Sequence, residues 1–295
     1  MTNLSFDRPI EWPTLFLICG VYLVWTGLLW LPITAIIIVP ILGLLITLHS
    51  SLQHEVIHGH PTRWVWLNEA LVSPAIGIFV PFARFRDSHL AHHQDARLTD
   101  PYDDPETNYF DPAVWARLPR LMQRVLRINN TLAGRLVLGP VIGSVMWVIS
   151  DMRCCSRAAI YGWLAHVPAV AVVLWIVAIS PMSIGAYLCA AYLGLSMLKM
   201  RTFLEHQAHT RASGRTVIIE DRGPFAFLFL NNNLHVVHHV HPKVAWYDLP
   251  TLYTENRDHY LQRNDGYVYP SYGAIIRQYF WRAKDPVPHP LWPNP

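Results

Sequence analysis

The sequence predicts an all-α membrane protein with about four transmembrane helices, further interfacial helices and a cytoplasmic cap. Hydrophobic residues make up 52% of the 295 residues and charged residues only 15%, whereas soluble domains carry about 25% charged residues. Several apolar runs approach the ~20 residues that a helix needs to cross a bilayer. Polar segments rich in histidine and arginine separate these runs, so we expect one membrane-embedded domain over residues 1–295.

The predicted transmembrane helices are the longest apolar runs, near residues 14–31, 33–50, 160–179 and 184–200. Neither of the turns that join them in pairs carries a charge. Because cytoplasmic loops are enriched in lysine and arginine, both turns are expected outside the cell. Residues 51–158 and 201–295 then form the cytoplasmic cap of a multi-pass protein.

Two other apolar segments are predicted to lie at the membrane interface. Residues 66–83 are interrupted by prolines and polar residues, and residues 136–149 are short. An interfacial position for both keeps all the histidine clusters described below on one side of the membrane. The alternative is that residues 136–149 form a third span of the second half, which would place the last cluster outside.

Histidines concentrate in three short clusters, which we call boxes. Box one is His54 and His58, box two is His89, His92 and His93, and box three is His235, His238 and His239. A spacing of four residues places both histidines of box one on the same face of a helix. Imidazole is the commonest metal ligand among side chains, so the boxes are predicted to bind metal. The isolated histidines His49, His166, His259 and His289 are predicted to be structural.

The composition of the boxes narrows the kind of metal centre. They contain no cysteine, which argues against iron–sulfur and cysteine-ligated zinc sites. So many imidazoles indicate two metal ions rather than one tetrahedral structural zinc. Two irons that activate dioxygen and a zinc pair that hydrolyses a substrate both fit this pattern.

A metalloprotease or a metal transporter would account for fewer of the histidine boxes. The pattern from His54 to His58 matches the metalloprotease motif, with Glu55 as general base, but it explains box one alone. A metal transporter would place its ligands inside the spans, whereas every box lies at or beyond the end of an apolar run. A nucleic-acid partner is not expected, since the net charge is +3 and the arginines are scattered.

The order of these features resembles the integral-membrane fatty acid desaturase and hydroxylase superfamily. The chain has a hydrophobic hairpin, boxes one and two, a pair of spans and box three. Residues 231–242 resemble the third box of that family, and residues 100–106 resemble the acidic turn that often follows its second box. The resemblance implies a non-haem centre of two Fe²⁺ ions, O₂ as oxidant, and hydrogen abstraction from an unactivated CH₂ of a lipid acyl chain.

The resemblance also implies one more ligand upstream of box three. His206 is predicted for this role and His209 is its competitor. Three roles are open for His60, a ligand, a neighbour of the ligands or an exposed side chain, and the last two are favoured. The predicted ligands are His54, His58, His89, His92, His93, His206, His235, His238 and His239.

Other polar residues are candidates to support these ligands, because ligating imidazoles usually donate their second N–H to a carboxylate or carbonyl. The candidate carboxylates are Glu55, Asp95, Asp100 and Glu205. The asparagines at residues 231–233 are predicted either to cap a helix that carries box three or to hold a metal-bound water.

Desaturation is the expected reaction, with hydroxylation or ketolation of an acyl, alkane or carotenoid-type chain as the alternative. Residues 204–206 also resemble membrane alkane hydroxylases, and carotenoid ketolases carry similar boxes.

The sequence has no glycine-rich dinucleotide fingerprint, so electrons are expected from a separate ferredoxin or cytochrome with its reductase. We expect that donor to dock near the arginines of the cytoplasmic cap.

Overall fold

The structure is a computed structural model that describes residues 10–292 and is mostly helical. Residues 1–9 and 293–295, at the ends of the predicted domain, lie outside the described residues. The elements in chain order are α1 (Trp12–Trp30), α2 (Ala35–Ile57), α3 (Val65–Val72), α4 (Phe82–His92), α5 (Pro112–Arg117), α6 (Arg120–Asn129), α7 (Leu132–Cys154), α8 (Arg157–Ile179), α9 (Ile184–Arg201), β1 (Ile218–Ile219), α10 (Pro224–Leu228), α11 (His235–Val240), α12 (Leu249–Glu255), α13 (Arg257–Arg263), β2 (Val268–Tyr269) and α14 (Tyr272–Tyr279). Short 3₁₀ helices cover Asp95–Arg97 and Ala212–Arg215.

The chain divides into two compact units. The first, here called the apolar unit, consists of Met1–Asp87 and Pro140–Leu198. The second, here called the histidine unit, consists of Ser88–Gly139 and Lys199–Pro295. The chain passes from one unit to the other inside α4, α7 and α9.

Within residues 10–292, four helices are long and apolar enough to cross a membrane, namely α1, α2, α7 and α8. The predicted fold class, all-α with about four membrane helices, is therefore confirmed. The difference lies in α7, a helix of 23 residues where the sequence predicted only a short apolar segment. The helix extends beyond residues 136–149 through charged positions whose side chains have partners: Asp151 accepts from Arg84 Nη2 at 2.7 Å.

Helix α9 is not among those four, and its last turn carries Lys199 and Arg201. It nevertheless packs beside the N-terminal helical hairpin of the apolar unit. Trp25 on α1 donates an indole N–H to the hydroxyl of Tyr187 at 3.1 Å. The hydroxyl of Thr47 on α2 contacts the carbonyl oxygen of Gly194 at 3.1 Å.

Small residues let α2 and α9 approach closely, as is common between membrane helices. A Cβ at Gly194 would lie 2.8 Å from Cγ2 of Ile46 and 3.0 Å from the carbonyl oxygen of Gly43. The second of these atoms belongs to the backbone and cannot rotate away. This contact favours the prediction that α9 spans the membrane together with α1 and α2.

The histidine unit is organised around a small hydrophobic core. A two-residue parallel ladder pairs Ile218 with Val268. Box three lies on α11, and the valines of this helix pack into the core with Leu249 of α12 and Tyr260 of α13. The position of box three therefore depends on the burial of its apolar neighbours.

The close approach of α2 and α9 predicts that Gly194→Ala destabilises the protein. Overpacking a tight contact costs about 1–3 kcal/mol, so the thermal unfolding midpoint in detergent should fall. Gly185 on the same helix is the matched control, since nothing lies within 4 Å of a Cβ built there. Gly185→Ala should be neutral or stabilising because alanine favours the helix. Equal midpoints for the two variants would show that the helices do not touch at Gly194.

Candidate metal centre

Two groups of histidines converge in the histidine unit. In the first group, box two supplies His89 from α4 and His93 from just beyond the end of that helix, and box three supplies His238. His93 Nε2 lies 2.9 Å from His89 Nε2 and 3.2 Å from His238 Nε2. The ligand atoms of these three side chains all lie within 4.8 Å of one another.

The second group consists of His92, His206, His235 and His239, whose ligand atoms also lie within 4.8 Å of one another. His206 Nε2 is 2.8 Å from His92 Nε2 and 3.1 Å from His235 Nε2. Both groups take histidines from boxes two and three, and the second adds the upstream histidine that the resemblance implied.

Backbone hydrogen bonds fix the start of α11 against the core. The amide of Ile219 in β1 donates to the carbonyl of Asn233 at 2.8 Å, and the amide of Val236 donates to the carbonyl of Val217 at 3.2 Å. Val236 and Val237 are buried in the core. Histidines at positions i, i+3 and i+4 of this helix therefore share its other face.

Oxygen atoms contact the Nδ1 atoms of three of these imidazoles. His92 Nδ1 lies 2.8 Å from Oδ1 of Asp104, and His89 Nδ1 lies 3.4 Å from Oε1 of Glu106. His235 Nδ1 lies 3.0 Å from Oδ1 of Asn232. A neutral imidazole that donates from Nδ1 carries its lone pair on Nε2, so each of these rings presents a ligand atom to its group.

The partners of the imidazoles are themselves held in place. Asp104 accepts the backbone N–H of Thr99 through Oδ2 at 2.9 Å. Asn232 donates to Oε1 of Glu205 at 3.0 Å, and the same oxygen lies 3.1 Å from Nε of Arg201. Outer contacts of this kind orient metal ligands and raise their basicity.

Burial and nearby carboxylates set the pKa values of the histidines in the second group. Desolvation, followed by the repulsion of neighbouring imidazoles, holds the pKa of His206 and of His235 well below the ordinary value. For His92, burial alone would lower the pKa, but the carboxylates of Glu106 and Asp104 outweigh it and raise the pKa to about 9. A metal ion that binds Nε2 of His92 therefore displaces a proton from it. His206 and His235 are thus kept neutral, the form that ligates metal.

The donor set fits a metal ion better than a network of hydrogen bonds. The Nε2 of an imidazole has one in-plane site, which holds either a proton or a lone pair. His206 Nε2 faces the Nε2 atoms of both His92 and His235 at hydrogen-bond distance, and one site cannot satisfy both. A cation bound by several lone pairs accounts for this convergence, and all-imidazole ligands suit iron, zinc or copper.

Box one lies in the apolar unit, at the C-terminal end of α2. His54 is buried, and its ring centroid is 5.1 Å from that of His58, as expected for two residues on one helical face. Gly59 ends the helix with a φ of 102°, a conformation that glycine adopts without strain. The membership of His54 and His58 in a metal site stays a prediction.

The two competing histidines lie elsewhere. His60 is buried, which excludes the exposed alternative, and its Nδ1 contacts Oε1 of Glu11 at 2.6 Å. His209 Nε2 lies 3.2 Å from Oδ2 of Asp265. Neither belongs to the two groups above.

Three of the four isolated histidines make hydrogen-bond contacts with groups outside the boxes. His49 contacts the hydroxyl of Tyr22 at 2.9 Å, and His166 contacts the carbonyl of Ile78 at 2.9 Å. His289 lies 3.3 Å from the hydroxyl of Thr99, and His259 is exposed.

The carboxylates that were candidates to support the metal ligands have different roles. Glu205 acts through Asn232, as described above, whereas Asp100 accepts backbone N–H groups in its own turn. Glu55 Oε1 is 3.8 Å from His54 Nδ1, beyond a hydrogen bond, and the side chain of Asp95 lies outside what the structure describes.

The prediction that an asparagine caps the box-three helix is wrong. The N-cap residue of α11 is Leu234, which makes no side-chain cap hydrogen bond. Asn233 instead donates to the carbonyl of Ile219 at 2.6 Å, and Asn231 donates to that of Trp246 at 2.9 Å. Asn232 contacts a box-three imidazole, a role that sequence spacing did not reveal.

Three further contacts were not predicted from the sequence. Asp104 and Glu106 were noted only as part of an acidic turn, although their side chains contact box-two imidazoles. They follow those histidines by 12 and 17 residues, and acidic residues soon after a histidine box were the available signal. Lys284 donates to the carbonyl oxygen of His206, and no sequence pattern links these two distant residues.

A family model described as "Fatty acid desaturase" matches residues 28–271, which include all three boxes and His206. The chain belongs to the fatty acid desaturase family. This membership confirms the resemblance seen in the sequence. No curated protein matches the chain. Membership makes the chain a membrane protein of an oxidoreductase family that acts on lipid. Its histidine groups are consistent with the di-iron centre that is general in this family.

The contact between Asp104 and His92 predicts that Asp104→Asn weakens metal binding. Loss of a carboxylate that supports a ligating histidine typically lowers metal affinity about 10–100-fold. The neighbouring Asp103, which is exposed, provides the matched control in Asp103→Asn. Metal content after dialysis against a graded chelator, measured by plasma mass spectrometry, should fall only in the first variant. Equal retention in both would remove Asp104 from the site.

Proposed function

We propose that this chain is an O₂-dependent desaturase that removes two hydrogens from the acyl chain of a fatty acid or membrane lipid. The observation that carries the proposal is the pair of converging imidazole groups in the histidine unit, with Nδ1 atoms held by Asp104, Glu106 and Asn232. Family membership supports the same conclusion.

The proposed cofactor is two Fe²⁺ ions, one for each group of histidines. His92, His206, His235 and His239 hold one ion. His89, His93 and His238 hold the other, together with His54 and His58 of box one. The position of box one on one face of α2 and its place within the family match support this assignment. When bound, the iron pair supplies O₂ activation, a reaction that protein side chains cannot perform.

The side chains around the irons orient and tune the ligands. Asp104, Glu106 and Asn232 keep a proton on each Nδ1 atom, and thus a lone pair on Nε2. Glu205 orients Asn232, and Arg201 holds Glu205 by an ion pair. The low pKa of His206 and His235 keeps both imidazoles neutral.

The membrane arrangement follows the original prediction, with α1, α2, α8 and α9 as spans and α7 at the interface. The packing of α9 against α1 and α2 supports this arrangement. An even number of spans then separates boxes two and three, which places all boxes on the cytoplasmic side. The acyl chain enters from the bilayer, and a separate ferredoxin or cytochrome with its reductase supplies the electrons.

Desaturation predicts a specific change in the lipids of a host that expresses this chain. Mass spectrometry should show acyl chains that have lost two hydrogens. His92→Ala, His93→Ala and His238→Ala should each abolish that product while the protein still inserts. His166→Ala should retain it, because the partners of His166, the carbonyl of Ile78 and the ring of Trp163, include no box residue. Gain of one oxygen would instead establish the hydroxylase alternative, and activity in any box variant would contradict the ligand assignment.

The assignment of box one predicts a change in iron stoichiometry. Purified protein should hold two irons, whereas His58→Ala should hold one, because removal of a ligand weakens only its own site. His60→Gln is the control, since His60 lies two residues away and pairs with Glu11. The number of irons per protein distinguishes the two variants. Mössbauer spectroscopy shows whether the irons are coupled. Two tightly held irons in His58→Ala would exclude box one from the centre.

A further inference from the structure

Helix α6 carries two exposed strips of opposite character. Arg120, Arg124 and Arg127 are spaced i, i+4 and i+7, and all three are exposed. Leu121 and Ile128, at the ends of a second i, i+4, i+7 strip, expose 74% and 54% of their surface. Helical residues at these spacings share one face, so the arginine strip runs directly beside the apolar strip.

The arginines of this helix make no ion pair within residues 10–292. Arg127 donates weakly to Gln123 and stacks over Trp115 with Cζ 5.4 Å from the ring centroid. Nearby Arg117 on α5 is also exposed and without a carboxylate partner in the described part of the chain. The strip is therefore a concentration of positive charge that the described chain does not neutralise.

The end of α6 is firmly joined to the start of α7. Only two residues separate these helices, Asn130 and Thr131. Arg135 on α7 donates from Nε to the carbonyl of Asn129 at 2.9 Å. A Cβ at Gly134 would overlap the carbonyl oxygen of Ile128, so the two helices are in direct contact.

Helix α7 itself presents apolar side chains outward. Val137, Val141 and Val145 are spaced four residues apart and expose 63%, 53% and 50% of their surface. This helix is apolar enough to contact lipid, and the proposed membrane arrangement, on which this inference rests, places it at the interface, so that strip faces lipid. Since α6 is fixed to the first turns of α7, it starts from the level of the membrane surface.

We propose that α6 lies in the cytoplasmic membrane interface and binds anionic phospholipid headgroups. Leu121 and Ile128 enter the acyl region, and Arg120, Arg124 and Arg127 contact the phosphates. Helices with an apolar strip beside a basic face lie in the interface in this way, and anionic lipids strengthen their binding. A soluble acidic partner would account for the arginines but would leave the adjoining apolar strip exposed to water.

The charge of the strip is tested with full-length protein in nanodiscs of phosphatidylcholine mixed with phosphatidylglycerol. Native mass spectrometry measures the preference for phosphatidylglycerol among the retained lipids. The variant Arg120→Gln/Arg124→Gln/Arg127→Gln should reduce that preference, by up to about fivefold for each arginine removed. The control Arg222→Gln/Arg277→Gln/Arg282→Gln removes the same charge from exposed positions outside α6 and should retain it. Equal retention in the two triple variants would overturn the proposal.

The depth of the helix is tested separately, on a background in which the four native cysteines are replaced by serine. Fluorophores on Leu121→Cys and on Ile128→Cys should be quenched by phospholipid with a spin label on its acyl chain. A fluorophore on Glu255→Cys, at an exposed position on α12, is the control for a site in water. No quenching at residues 121 and 128 would overturn the proposal. If the α6 triple variant then also raised the KM for an acidic electron donor, the strip would be its docking site instead.

Discussion

The histidine unit depends on one physical constraint, the convergence of several buried imidazole nitrogens on two small regions. Buried polar atoms are costly unless they are paired, and imidazoles that face each other through Nε2 cannot all be paired by hydrogen bonds. A carboxylate or amide oxygen at Nδ1 determines which nitrogen of His89, His92 and His235 faces inward. Without these oxygens, either tautomer would be available and the rings could rotate.

This constraint explains why so much of the surrounding chain is polar yet buried. Glu205 and Asn232 lie within the unit because each satisfies another buried group, in a chain that leads from Arg201 to His235. Lys284 contributes from the C-terminal segment through the backbone of His206. Burial favours the neutral state of His206 and His235, so the same desolvation that makes the site costly also prepares it for a cation.

The contact between α2 and α9 and the exposed surface of α6 have a different physical basis. Close packing of α2 and α9 depends on glycines and on hydroxyl contacts to backbone carbonyls, because apolar side chains gain little by leaving lipid for protein. On α6, the arginines and the apolar side chains occupy adjacent strips, an arrangement that is favourable where water and hydrocarbon meet. The family match covers these elements as well as the boxes. The proposed lipid substrate therefore has both a site for its chemistry and a membrane surface from which to enter.

The sequence by itself determined the fold class and the family, and its spacing identified the histidines of boxes two and three that converge in the structure, because each of these depends on local information. Apolar runs of membrane length and the spacing within each box need no knowledge of the fold. The extent of α7 was not predictable in this way, since Asp151 is tolerated inside the helix through its contacts with Arg84, 67 residues away, and with Trp163. Tertiary structure also decided how the histidines divide, because His92 and His93 are neighbours in sequence yet belong to different groups. Adjacent residues near a helix end point in different directions, and only the packing of α11 against its core determines which box-three histidine each of them meets.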